Sequence, residues 1–189
     1  MSTIGELVRQ HTDLTKEQTT HLVNLVSEWG MLADLCFADL LLYVPIKDDS
    51  WKIVAQVRAA TGQTLYLVDF VGTEASSSDR PLLVEAFRTG EIVEGEIFVE
   101  GIEEDCRMMA IPVKHEGQVV GVLTREWSRR TGRQPGELER TYLEMFDRFA
   151  EMIVRGSFPF AGRVADSSVA PRVGDGAIVL DHDSRIRYA

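Results

Sequence analysis

The chain has 189 residues, 44% of them hydrophobic, and thirty acidic against twenty basic side chains give it a formal charge of −10. That length supports one sizeable core plus a remnant rather than two full domains. The acidic balance repels nucleic-acid phosphates and anionic membrane surfaces, so neither direct nucleic-acid binding nor membrane association is expected.

Met1 to His11 lacks the basic region and apolar stretch of a secretory signal. The longest apolar run, Leu40 to Ile46, contains Pro45 and is far shorter than the roughly 20 residues that span a bilayer. A cytoplasmic location is the expectation. Cys36 and Cys106 then read as free thiols rather than a structural bridge. His11, His21, His115 and His182 never fall at metal-ligand spacing with one another or with a cysteine, so no metal or cofactor site is predicted.

Thr15 with Gln18 three residues later forms a capping-box pattern, and Leu22, Val26, Trp29 and Ala33 recur at helical spacing, which predicts a helix from Lys16 to Asp34. Apolar Phe37 to Ile46, the polar turn Lys47 to Ser50, and Trp51 to Val57 predict a hairpin. Leu65 to Val71, entered from Thr61 and Gly62, reads as a third strand. A short helix follows, with Asp79 as its cap, Pro81 in the first turn, Leu83, Ala86 and Phe87 inward, and Gly90 as its stop. Ile92 to Val99 suits an edge strand or loop, since its acids want water.

From Arg107 to Trp127, alternating Met109, Ile111 and Val113, a turn at His115 to Gly117, and returning Val119 to Leu123 predict a central antiparallel hairpin. Pro135 opens a long helix to Arg155 whose apolar stripe is Leu138, Tyr142, Met145, Phe146, Phe149 and Ile153; Gly156 ends it. Ser157 to Arg172 has linker composition. Gly174 to Ala189 reads as two short strands, Ala177 to Leu180 and Arg185 to Tyr188, around the turn Asp181 to Ser184. Sixteen residues build no core, so this piece is either the opening of a further domain or a flap that pairs with the main domain or a second copy.

This α+β order of elements resembles a GAF domain, residues 1–156, with Ala110 to Val113 and Gly121 to Leu123 similar to its terminal hairpin. Residues 157–173 are the linker. Gly174 to Asp181 and Ile186 to Ala189 are similar to the first hairpin of a PAS domain, incomplete here. Gly5-Glu6-Leu7, His11-Thr12, Glu28-Trp29, Leu32 to Leu35 and Phe37-Ala38-Asp39 resemble the actinobacterial PdtaS-type sensor histidine kinases. The resemblance implies a longer parent with a PAS domain, a dimerising phosphoacceptor region and an ATP-binding kinase domain. It also implies a response regulator with an RNA-binding antitermination domain as partner. No kinase machinery lies in this segment, and ATP is expected only for the kinase domain. In mycobacterial members the strand matching Ile53 to Val57 carries cysteines; here Ile53 and Val57 are aliphatic, so thiol sensing there does not carry over.

A GAF ligand lies between the sheet and the elements covering it, which makes Tyr43, Tyr66, Phe70, Phe98 and Met108 candidate pocket walls, each equally suited to core packing. Cys106 is the redox candidate: Arg107 beside it favours a thiolate, while Glu103, Glu104 and Asp105 oppose it. Cys36, in an apolar stretch, suits a small buried hydrophobe. The seven carboxylates from Glu91 to Asp105 lack an EF-hand order and read as a solvated loop. No phosphate loop, paired-carboxylate site or Ser-His-Asp grouping is present, so no catalytic residue is assigned. The two long helices suggest a homodimer; alternatively the domain's own sheet satisfies both stripes. Three functions remain in view: a sensory input relaying a ligand, redox or metal signal, a ligand-free dimerisation module, and a GAF-fold redox enzyme using Cys106.

Overall fold

The computed structural model describes residues 3–47, 49–58, 64–99, 105–128, 136–160, 174, 176 and 178–188. Helix α1 (Ile4–His11) opens the chain. Its start is a reciprocal box in which the Glu6 N–H donates to Thr3 Oγ1 and the Thr3 N–H donates to Glu6 Oε2, at 3.3 and 2.8 Å. Helix α2 (Lys16–Cys36) has the same device at Thr15 and Gln18 and runs two residues beyond the expected end. Phe37 closes it in the left-handed region at φ 52°.

Among the described residues, strands β1 (Asp39–Ile46), β2 (Ser50–Val57), β3 (Glu74–Ser76), β4 (Val93–Ile97), β5 (Cys106–His115) and β6 (Gln118–Ser128) form one sheet. The order is β3-β2-β1-β6-β5-β4, with every pairing antiparallel. The β5–β6 turn needs two positive φ angles, which Glu116 (49°) and Gly117 (79°) supply. Gly121 is required for a different reason: a Cβ there would stand 2.8 Å from the Tyr43 carbonyl oxygen of β1. Helices α3 (Pro81–Thr89) and α4 (Glu137–Val154) complete the main body.

Period-two alternation gives the sheet two buried faces. On one, Leu40, Leu42, Ile111, Val113 and Leu123 pack against Val8 of α1, Leu22, Leu25 and Leu32 of α2, and Phe146 and Ile153 of α4. Each such side chain contributes about 1.5–3 kcal/mol on burial. On the other face, Leu41, Tyr43, Met108, Ala110 and Val122 pack against Leu83 and Ala86 of α3. The GAF-like α+β architecture is therefore the one expected.

Three expectations are corrected. Leu65 to Val71 is not a strand: its backbone is held by the side chains of Asp39 of β1, Gln56 of β2 and Arg58 just beyond it, with no ladder, and Leu67 is 88% exposed. Thr61 and Gly62 lie outside the described residues. Asp79 does not cap α3; Arg80 takes the cap position without a side-chain bond to the helix, and the guanidinium reaches elsewhere. Ser157 to Phe160 does not behave as linker, because Phe158 is buried, edge-on to Phe149 at a centroid distance of 5.1 Å. The remainder of the expected linker, 161–173, lies outside the described residues.

The terminal segment forms a two-stranded sheet of β7 (Val179–Leu180) and β8 (Ile186–Tyr188). Asp181 Oδ1 holds its turn by accepting from the N–H groups of Asp183 and Arg185, at 2.9 and 3.0 Å. Val179 and Tyr188 are partly buried against the main core.

Candidate functional site

On the α3 face, alternation along β6 points Val122, Thr124 and Glu126 the same way, and all three are fully buried. A buried carboxyl group needs partners. Glu126 Oε2 accepts from the Tyr66 hydroxyl, and Glu126 Oε1 accepts from Thr124 Oγ1 at 2.8 Å. The Arg80 guanidinium approaches Glu126 Oε2 at 3.5 Å from the start of α3. The Tyr43 hydroxyl is buried in the same cluster, with no hydrogen-bond partner among the described residues. Burial first, and the Glu126 charge second, push the phenols of Tyr43 and Tyr66 above their usual range.

The segment over this cluster is stitched to the sheet by side chains. Asp39, buried at the start of β1, accepts at Oδ2 from Thr64 Oγ1 (2.8 Å), the Leu65 N–H (2.7 Å) and the Tyr66 N–H (3.0 Å). Arg58 Nε donates to the Tyr66 carbonyl at 2.7 Å and Arg58 Nη2 to the Val68 carbonyl at 2.6 Å. Gln56 accepts from the Phe70 N–H at 2.8 Å, and Lys52 pairs with Glu74 at 2.6 Å at the far end. The far end of the segment is also tied by backbone, the Gly72 N–H donating to the Ile53 carbonyl at 2.7 Å and the Ile53 N–H to the Thr73 carbonyl at 3.1 Å.

Of the expected pocket walls, Tyr43, Tyr66 and Met108 meet in this layer, and Phe70 stands edge-on to Tyr66 at 5.2 Å. Phe98 is 86% exposed and is not brought to them. Asp39, Arg80, Thr124 and Glu126 were not singled out from sequence as site residues. The available signal for the last two was their place in the strict alternation of β6, where a polar pair on an otherwise buried face demands an explanation.

Both thiols are buried. Cys106 begins β5, paired with Ile97 and Ser128. Cys36 sits at the end of α2, where burial pushes its thiol up to about 12. Its carbonyl accepts two bonds from Arg125, at 3.3 and 3.2 Å. Arg125 also lies 4.0 Å above the Trp127 ring and 5.7 Å from the Phe146 ring of α4. One β6 residue thus joins the sheet to the C-terminal end of α2 and the middle of α4, while its neighbour Glu126 faces the opposite layer.

A family model for the GAF domain of histidine kinase PdtaS matches residues 4–146. The chain belongs to this family. It is 38% identical over 192 residues to the sensor histidine kinase PdtaS of Mycolicibacterium smegmatis. It is 39% identical over 195 residues to that of Mycobacterium tuberculosis. In both matches all of this chain aligns, and it spans 38% of the relative's length. A solved structure described as the sensor region of a sensor histidine kinase superposes with a TM-score of 0.82 and 37% identity. That match covers 99% of this chain and 64% of the other. The PdtaS GAF assignment agrees with the resemblance read from Gly5 to Asp39 and with the sheet order. No helix among the described residues is long and apolar enough to cross a membrane.

Proposed function

We propose that this chain is the signal-input region of a cytoplasmic two-component sensor histidine kinase, and that its input acts on the layer around Tyr43, Tyr66, Met108 and Glu126. The observation that carries the reading is the pair of adjacent β6 residues that face opposite ways. Glu126 is held by Tyr66 and Arg80 under the side-chain-stitched segment, and Arg125 is held by Cys36 and the rings beside α4. A ligand that re-partners Glu126 or the Tyr43 hydroxyl would shift β6, and Arg125 would pass that shift to α4.

Beyond Gly156 the signal would run through a linker to the PAS-like domain that begins at Gly174, then to the dimeric kinase region. There ATP would be consumed and phosphate passed to a response regulator with an RNA-binding antitermination domain. The chain would contribute to a homodimer through its terminal helices, although much of both stripes is already used internally. A redox enzyme acting through Cys106 is disfavoured by the burial of that thiol.

The test is autophosphorylation of the full-length parent kinase carrying Tyr66→Phe or Arg125→Lys. Both substitutions are expected to change its basal rate while leaving the kinase domain intact. Unchanged rates in both would remove the proposed route.

A further inference from the structure

At the end of β6 away from Glu126, the pairing with β5 slips. Val113 is paired with Gly121 and the next residue, Lys114, with Val119, so Val120 is an extra residue in β6. A bulge of this kind re-aims the side chains beside it. His115 is brought to α2, its ring centroid 4.8 Å from that of His21. The two rings border a cleft of about 600 Å³ between the start of α2, the β5–β6 turn and the chain leaving α4. Lys114 is brought to α3 instead. Its Nζ stands 2.9 Å, and its Cε 3.0 Å, from the point that a Cβ on Gly90 would occupy, with Val119 Cγ2 at 3.8 Å.

Two helix ends meet at this one residue, and each is built on a glycine. Gly90 caps α3 at φ 69°, its N–H donating to the Ala86 carbonyl at 2.9 Å. The missing Cβ leaves the space that the Lys114 ammonium enters, and a cation there complements the carbonyl end of a helix. Gly156, just past α4, lies at φ 71°, and a Cβ on it would stand 3.1 Å from the Lys114 carbonyl oxygen. Lys114 therefore meets the end of α3 with its side chain and the exit of α4 with its backbone, although the two helices cover opposite faces of the sheet.

We propose that Lys114 is a strap coupling the C-terminal end of α3 to the exit of α4. Contacts this close leave little room for gradual deformation. A displacement of the end of α3 moves the ammonium, and the carbonyl of the same residue limits how near Gly156 can lie. The bonds that would carry the load are those closing α4, from the Gly156 N–H to the Ile153 carbonyl at 3.0 Å and from the Ser157 N–H to the Met152 carbonyl at 2.9 Å. The strap acts whatever moves α3, so it stands apart from the route through Glu126 and Arg125 at the other end of β6.

Amide hydrogen exchange of this chain, followed residue by residue by NMR, tests the strap in both directions. Gly90→Ala sets a methyl group against the Lys114 ammonium and is expected to speed exchange at Gly156 and Ser157 by about fivefold or more. The Thr12 and Arg140 amides, bonded to the Val8 and Gly136 carbonyls away from the strap, are expected to keep the parent rate. Coupling is reciprocal, so Gly156→Ala is expected to speed exchange at Gly90 by a similar factor. Adding Lys114→Ala to either variant is expected to return the distant amides to the rates of Lys114→Ala alone. Changes confined to the substituted end, distant changes that persist without the Lys114 side chain, or equal acceleration at Thr12 and Arg140 would overturn the proposal. If Gly156→Ala unfolds the chain, Gly90→Ala and its reversal by Lys114→Ala decide the matter.

Discussion

The Tyr66 hydroxyl donates to Glu126, so a side chain from the segment covering the sheet satisfies a carboxyl group that the sheet itself buries. Neither residue is comfortable alone: the phenol is removed from water, and among the described residues the carboxyl group otherwise accepts from Thr124 and has a longer approach from Arg80. Tyr66→Phe is expected to lower unfolding stability by about 1–3 kcal/mol, the range for stranding a buried acceptor. Glu126→Ala is expected to cost about 3–5 kcal/mol, as for breaking a buried charged pair. Urea denaturation of both single variants and the double variant measures the coupling. Additive losses would show that the two groups do not act as a unit.

Asp39 organises the start of the covering segment through three bonds to one oxygen. Asp39→Ala should leave the Leu65 and Tyr66 amides without that acceptor. Their hydrogen exchange is expected to accelerate by tenfold or more, while amides in β5 and β6 keep their protection. Equal acceleration across the sheet would instead mean that Asp39 supports the whole fold.

Most of the framework was legible in the sequence because periodicity and caps reported it directly. Thr15 and Gln18 placed the start of α2, and the alternation of Met109, Ile111 and Val113 placed β5. The capping box at Thr3 and Glu6 was equally readable and was overlooked, so α1 was missed. Leu65 to Val71 misled for a physical reason. Its β-branched and aromatic residues fit a strand, yet Arg58, Gln56 and Asp39 bind its backbone with side chains, a tertiary substitution that local pattern does not encode. The site was half legible: Tyr43, Tyr66 and Met108 were identifiable as apolar walls. The Glu126 and Arg80 pairing joins distant elements, as does the meeting of His21 with His115.

His21 makes a pH prediction with a definite sign. Its folded value of about 4 lies below the ordinary 6.5, so the unfolded chain binds this proton more readily. Stability from this group is therefore complete above pH 6.5 and declines as pH falls from 6.5 towards 4. Allowing for solvent in the cleft, the loss is about 2 kcal/mol. Thermal midpoints across that range, with and without His21→Asn, measure it; a variant as acid-sensitive as the parent chain would refute the assignment.

Burial of both thiols predicts slow chemistry. In the folded chain Cys36 and Cys106 are expected to react with a thiol-specific disulfide reagent at pH 8 at least a hundredfold more slowly than after denaturation. Rapid native-state reaction at Cys106 would revive a redox role for it.

The central claim is that the input acts on the layer beneath Tyr66. Its most direct test is a thermal-shift screen of this chain and its Glu126→Gln variant against cyclic dinucleotides, cyclic mononucleotides, divalent metals and thiol oxidants. A compound that raises the midpoint of the parent chain, and raises that of the variant much less, is the predicted result, since a ligand that binds only the folded state must stabilise it. No shift with any compound, or equal shifts in both proteins, would contradict an input at Glu126 and favour a ligand-free dimerisation module or a site elsewhere in the chain.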